Sequence, residues 1–545
     1  MSVVTATILS EGRQMDPAYE MLSLDIIKEL NRIPEAQLVL VDGDSAQRNF
    51  PISNTDFFEP GKEIEIKLRY EGSADETVFK GPLVRHGVEA AESGSVLIVE
   101  MKDAAVKLTH TRKSVVFRDQ TDHEIIGQII QEAGLQKGAI EATEPKHAQI
   151  VQYHATDWDF ILSRADIQGL VAVTSDGEIA LQKISADGTP KLTFEWGLSE
   201  IYNFELEVDG GHQYSSIESI AWNLKNQELT QASQAASFEL PQGNLRGEQI
   251  AQTIGFDTYT LKNAVPLDPA ELQAWADARM ARSRMSLIRG RIAVAGLADL
   301  IPLDVIEIKG IGERFNGKTL VTGIRHQVNA SGWQTDVQFG LSPDWFCRQE
   351  NIEDVPAAGL LPAVTGLQVG IIDAFEDDPD GEYRAKVILP AIDAAEGTVW
   401  ARLLTPDAGL ERGFFFRPEA GDEVVVGFFN NDPRQPIILG ALYGSVNTPP
   451  ADFAELSEEN LHKGIVTKKG TRIGFVDAEK ASIFIETPEA NKIVCDDDAQ
   501  SIQISDQHGN MITMDANGIE IKSDGDVKID AGGNVEITGQ KVDVK

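Results

Sequence analysis

Cysteine is nearly absent: the 545 residues include two, Cys347 and Cys495, far apart and with no second thiol near either. A disulfide framework and a zinc knuckle are thereby excluded. Long apolar runs are missing too, since none approaches the roughly 18 residues of a membrane span. The first residues, Met1-Ser-Val-Val-Thr-Ala-Thr-Ile-Leu-Ser-Glu-Gly12, lack a basic start and an extended apolar stretch, so the chain is expected to be made in the cytoplasm without a signal peptide. Positive charge is scarce. Against 86 Asp+Glu stand 48 Lys+Arg, a net charge of −38 that repels nucleic acid and anionic lipid headgroups, and no nucleic-acid partner is expected. The hydrophobic share of 42% and charged share of 25% are those of folded globular protein, and the length suits three or four domains.

What is present is mostly β pattern. From residue 1 to 110 short alternating segments such as Ala36-Gln-Leu-Val-Leu-Val41 and Glu63-Ile-Glu-Ile-Lys-Leu68 are broken by turns like Pro60-Gly61, which predicts a barrel or sandwich. The period then changes over 111–225. Asp122 is placed to cap a helix carrying Ile125, Ile126, Ile129 and Ile130, and Asp157–Asp166 reads as a second helix ended by Gly169, so an α/β insert is expected there. The polar stretch 225–240 reads as a connection, and Asp268-Pro-Ala-Glu-Leu opens a well-capped helix. Alternation resumes from Arg289 to Gly340, placing a second barrel at 240–345. Residues 351–362, with Pro356 and Pro362, form the clearest linker. Residues 363–446 contain about five strands, with turns at Asp380-Gly381 and Asn430-Asn431-Asp432-Pro433, as in a small Greek-key barrel of the OB type.

The tract 447–545 is the most informative. Apolar pairs recur in a strand-turn rhythm: Ile473/Phe475, Ile483/Ile485, Ile493/Cys495, Ile502/Ile504, Ile512/Met514, Ile519/Ile521, Val527/Ile529, Val535/Ile537 and Val542/Val544. Spacing begins near ten and settles at eight. Such short strands cannot bury a core alone but can when stacked. At roughly 4.8 Å per strand they predict a needle on the order of 40 Å long. A single chain of such short rungs would leave edges and apolar faces exposed, whereas three chains about one axis would turn the pairs inward and give every edge a neighbour; a one-chain β-solenoid or an antiparallel sheet is the alternative. The expected needle core is therefore Ile502, Ile504, Ile512, Met514, Ile519, Ile521, Val527, Ile529, Val535 and Ile537.

Four segments carry a resemblance to a known family: Val151-Gln-Tyr-His-Ala-Thr-Asp-Trp-Asp-Phe-Ile161, Gly421–Tyr443, Gly464-Ile-Val-Thr-Lys-Lys-Gly-Thr-Arg-Ile-Gly-Phe475, and the octet tract. Together they resemble the VgrG family, similar to the fused hub and spike of contractile phage baseplates. The resemblance implies a mainly β, multidomain fold of two hub β-barrels with an α/β insert, an OB-fold and a C-terminal trimeric β-helix needle. It also implies a central homotrimer beneath the inner tube of an injection machine. Its partners would be inner-tube and baseplate proteins, effector cargo, a PAAR-type tip protein gripped near Val542 and Val544, and a target membrane entered by puncture. Within the family, the Asn447-Thr-Pro-Pro450 ending after the barrel looks more like extracellular injection particles than type VI secretion spikes. A trimeric β-helical adhesin or tail fibre is the alternative, against which the two hub β units argue.

Candidate chemistry is thin. About twenty residues separate barrel from needle and the last strand pattern reaches Lys545, so no fused catalytic domain, and no enzyme, is expected. His123-Glu124 begins like a zinc-protease motif, but Gly127 stands where the second His belongs. Gly310-Ile-Gly312 lacks the third glycine of a dinucleotide loop and suits a hairpin turn. Glu376–Gly381 hints at a calcium loop, yet Val387 replaces the bidentate Glu, so a polar hairpin is favoured. Phe414-Phe415-Phe416 between Arg412 and Arg417 could stack bases; the net charge favours barrel core plus subunit contact instead. Neither a cofactor nor a metal site is expected.

Overall fold

The computed structural model describes residues 4–92, 94–185, 188–223, 228–263, 267–348, 364–379, 381–390, 398–433, 435–454 and 457–545. The chain divides into two compact units, Met1–Asp354 and Val355–Lys545.

In the first unit, strands Val4–Ser10, Met21–Glu29, Glu35–Val41, Glu63–Tyr70, Glu76–Ala91 and Gly94–Lys102 pair antiparallel. Every second side chain, such as Leu24 and Ile26, Leu38 and Leu40, or Leu97 and Val99, is buried in one core, as period-two alternation requires when one face is covered. A separate core gathers Ile292, Ile306, Ile308, Val321, Ile324, Val337 and Phe339. The sequence predicts two β-barrels here; the structure has two cores, and their strands belong to one sheet. Strand Met21–Glu29 pairs with Gly317–Asn329, so both halves share a thirteen-stranded sheet, and the Asp25 carboxylate accepts from Arg325 Nε at 2.9 Å across the seam. Two strands inside 111–225, Leu192–Glu195 and Ile201–Val208, likewise pair with Val305–Lys309 and Ile288–Ala295 rather than with the insert, because Phe194 and Phe204 pack on the second core.

The insert holds helices α1 (Asp122–Glu132) and α2 (Asp157–Gln168) against a three-stranded sheet. Helix α1 is capped by Thr121, not Asp122: the Thr121 hydroxyl and the Glu124 side chain form a capping box, and Asp122 is buried in the first turn. Helix α2 ends at Gly169 with φ 69°, a left-handed C-cap that glycine adopts without strain. Its motif residues Trp158 and Phe160 are core, while the side chains of Val151, Tyr153 and His154 lie outside the described residues. Helix α3 (Gly247–Ile254) was not foreseen from its polar sequence, whereas α4 (Pro269–Met285) starts at the expected Asp268 cap. Residues 225–227 of the expected connection lie outside the described residues; from Glu228 onward it forms short strands against Ser216–Asn223.

Charged pairs join α1 to α2 and α2 to α4. Buried Asp122 accepts from Arg164 Nε at 2.7 Å and Gln168 Nε2 at 2.8 Å, and Arg164 Nη2 donates to Glu271 at 2.8 Å. Burial pushes the Asp122 carboxyl up, but Arg164 outweighs it and holds the group below the usual carboxylate range. Asp166 pairs with Arg282 and accepts from the Phe346 amide at 2.6 Å; burial dominates there and holds its carboxyl above the usual range. Arg279 Nη1 donates to the Pro343 carbonyl at 2.7 Å with its guanidinium over Trp345. These contacts fasten residues 342–346. The linker read at 351–362 lies outside the described residues.

In the second unit, Gln368–Ala374, Ala385–Ile388, Thr398–Leu403, Glu423–Phe428 and Pro436–Ala441 close a five-stranded barrel around Ile372, Val387, Leu389, Val424, Val426 and Ile438. Seven further strands, His462–Val466, Arg472–Val476, Ser482–Glu486, Lys492–Asp496, Ser501–Ser505, Met511–Asp515 and Gly518–Lys522, form one sheet in chain order. Every neighbouring pair is antiparallel, so within one chain the needle is a meander rather than a β-helix.

Candidate assembly site

A five-residue strand puts its second and fourth side chains on one face and the other three on the opposite face. In the needle, that rule combined with strict register makes two columns. One runs Ile465, Ile473, Ile485, Ile493, Ile504, Ile512 and Ile521; the other runs Phe475, Ile483, Cys495, Ile502, Met514 and Ile519. Directly opposite side chains lie within contact distance across each strand pair. Yet the face is uncovered: Ile485 and Ile493 are each 43% exposed, and Ile519 reaches 71%. Covering such a column gains about 1 kcal/mol per side chain, on the order of 10 kcal/mol for both.

The opposite face is finished within the chain. Phe484 lies under Arg472 at 5.4 Å and Lys492 at 5.6 Å, and a Cβ at Gly474 would sit 2.3 Å from its ring, so only glycine leaves room for it. Arg472 also donates to Glu486 at 2.7 Å, and that carboxylate holds the guanidinium pKa above its ordinary value. Farther along, the centre of this face turns polar through Gln503, Thr513 and Glu520. The turns are built alike. Asn491 bonds Thr487 and Asn510 bonds Asp506, whose carboxylate accepts from Asn510 Nδ2 at 2.7 Å and is held below its usual range by that bond.

Of the predicted needle residues, Ile502, Ile504, Ile512, Met514, Ile519 and Ile521 stand in the columns. Val527, Ile529, Val535 and Ile537 lie in residues 523–545, which carry no strand in the single chain; these four and Val542 and Val544 are all exposed. With octet spacing and no facing strand of their own, they have nothing in one chain to pair with. Before Ile473/Phe475, His462–Val466 adds a strand whose face positions are Lys463 and Ile465, so it carries no apolar pair.

The other candidates resolve into structure. His123 is hydrogen-bonded within the first turn of α1, its Nδ1 2.8 Å from Thr121 Oγ1. Gly310 and Gly312 take left-handed φ in the turn between paired strands Val305–Lys309 and Gly317–Asn329. Asp378 is filled by Arg384, with Nη2 at 2.6 Å and Nε at 3.0 Å, as a polar hairpin requires; Asp380 lies outside the described residues. Phe414, Phe415 and Phe416 are not barrel core: all three are exposed. Sequence reasoning missed the buried Arg164–Asp122 and Arg282–Asp166 pairs; Arg164 within α2 and Arg282 within α4, each on a helix with a buried face, were the available signal.

A closed five-stranded barrel followed by a meander with one uncovered apolar face defines, with the matches that follow, a VgrG-like spike of the phage-baseplate class. Residues 368–443 match the type VI secretion system/phage-baseplate injector OB domain, and residues 482–545 match the phage baseplate V C-terminal trimerisation domain. Residues 1–330, more than half of the chain, match the Alg8 N-terminal domain, and the chain belongs to that family. It is similar to the type VI secretion system spike proteins VgrG1b and VgrG1a of Pseudomonas aeruginosa. VgrG1b is 22% identical over 398 residues, 68% of this chain and 52% of that protein. VgrG1a is 22% identical over 485 residues, 82% and 71% respectively. The chain thus spans about half the length of VgrG1b. Among solved structures, an E. coli component of the type VI secretion system, described as similar to the T4 tail proteins gp27 and gp5, aligns with TM-score 0.41 and 14% identity over 80% of this chain and 99% of that one.

Proposed function

We propose that three copies form the central spike of a phage-tail-like contractile injection machine, plug its inner tube, and puncture the target membrane so that cargo can follow. The observation that carries this is the paired apolar ladder, continued by the octets: a face that one chain leaves open and three chains can close around an axis. A rod closed in that way is stiff because every rung is hydrogen-bonded to the next. Its work is mechanical, the driving force coming from a sheath made by other proteins, and the chain itself brings no catalysis. A PAAR-type tip protein sits at the end of the needle, near Val542 and Val544, and the particle is released from the cell that makes it.

The test is made on whole particles. Those carrying Ile485→Asp should still contain inner tube and baseplate, but should fail to release dye from target-membrane vesicles on sheath contraction. Unchanged dye release would remove the puncturing role. Lysozyme and peptidase assays on the purified chain should read blank.

A further inference from the structure

The barrel carries an apolar spur that the needle does not explain. After strand Thr398–Leu403 the chain makes a small hairpin, Ala408–Gly409 against Arg412–Gly413, and then runs through Phe414, Phe415 and Phe416. At the hairpin tip Leu410 is 94% exposed, and Phe415 behind it is 77% exposed. Exposed side chains of this size in a contiguous stretch mark an interaction surface. The spur is also held in one shape. Arg412 Nη1 donates to both Asp407 carboxylate oxygens, at 2.7 and 2.8 Å, Thr405 Oγ1 donates to the Phe414 carbonyl at 2.8 Å, and Arg417 lies over the rings of Phe415 and Phe375 at 5.0 and 5.6 Å. Gly413 has φ 134°, and a Cβ there would sit 2.3 Å from the Asp407 carbonyl oxygen, so the turn out of the hairpin requires glycine. A surface fixed in advance loses little entropy on docking.

We propose that this spur is a second contact between copies of the chain, inserted against the barrel of the neighbouring copy. The segment that carries the phenylalanines ends on the needle: the Glu419 carboxylate pairs with Lys468 Nζ at 2.9 Å, in the first turn of the ladder. The spur therefore continues the face-bearing element that three copies share, and any arrangement that closes the columns also brings three spurs around the same axis. A threefold contact joins two different surfaces, so an apolar spur requires an apolar acceptor elsewhere on the same barrel. Tyr443 and Val446, just past the last barrel strand, are 72% and 91% exposed and supply one. Copies at −38 repel at distance, so the contact is held by packing, and the Arg417 guanidinium on the spur reduces that repulsion locally.

The inference rests on the trimer proposed above, and the experiment separates the two. A photo-crosslinking phenylalanine analogue is placed at Phe415 of the full-length chain, which is weighed by light scattering before irradiation. The expected result is a trimer that crosslinks to a second copy within residues 363–446. A chain that is monomeric before irradiation would remove the trimer and the spur contact together. A trimer in which residue 415 crosslinks only within its own chain, or only to another baseplate protein in whole particles, would overturn the spur contact alone. As a second variant, Phe414→Ser with Phe415→Ser should remain trimeric through the needle and show increased hydroxyl-radical labelling at Tyr443; unchanged labelling there would also overturn it.

Discussion

Hub strands and needle strands follow the same alternation and end in opposite states. In the hub, Ile26, Leu38 and Val99 are fully buried because a single chain folds enough sheet to cover its own inner face. In the needle, Ile485, Ile493 and Ile504 occupy equivalent alternate positions in better register, yet each stays about two-fifths exposed. The difference lies in strand length and curvature: five-residue strands in a meander make a ribbon too narrow to wrap around its own apolar side. The hub covers its apolar face within one chain, and the needle does not.

The comparison can be broken at its strongest point by charging the ladder. Ile485→Asp with Ile493→Asp places two carboxylates opposite each other in one column, where leaving each uncompensated costs several kcal/mol. The chain is expected to become monomeric by light scattering while the hub's thermal transition stays in place. A hub-side counterpart is Arg282→Ala, which leaves the Asp166 carboxylate buried without its guanidinium; the hub should lose about 4 kcal/mol by denaturant titration with association unaffected.

A third test uses pH. His326 is buried beside Trp333 and Thr335, and burial, with Lys28 adding to it, lowers its pKa to about 3. Below 6.5 the unfolded chain takes up this proton while the folded hub refuses it until near pH 3. The His326 contribution is therefore fully present well above pH 6.5 and is lost as pH falls, by about 2 kcal/mol between pH 6.5 and 4.5. His326→Gln should flatten that part of the hub's stability profile and leave the needle's unchanged. The smallest effect is expected on the needle's closed face: Phe484→Ala removes a ring held between Arg472 and Lys492, costs about 1 to 2 kcal/mol in thermal stability, and leaves the trimer mass unaltered.

The needle was legible because its information is local: one strand, one turn, and the pattern repeats within ten residues. The cap of α1 shows the opposite case. Thr121 and Asp122 are both good capping types, and what assigns Asp122 to the interior is Arg164, 42 residues later, together with Glu271 beyond it. The same holds for the shared hub sheet, where Asp25 meets Arg325 across a pairing of strands 300 residues apart, so two alternating stretches were read as two closed units. Phe414-Phe415-Phe416 misled for a different reason. Three adjacent phenylalanines look like core by composition, but after the turn at Gly413 the backbone carries them along the barrel's outside. In the octets, the pattern is plain in the sequence while no strand forms there in the single chain.

The most direct test of assembly as the needle's missing half is the solution mass of the purified full-length chain, beside a truncation ending at Pro450. Three copies of a 59.5 kDa chain give about 180 kDa, and the truncation should weaken or dissociate. A full-length monomer at micromolar concentration would contradict the account, because the two apolar columns would then face water with nothing to cover them.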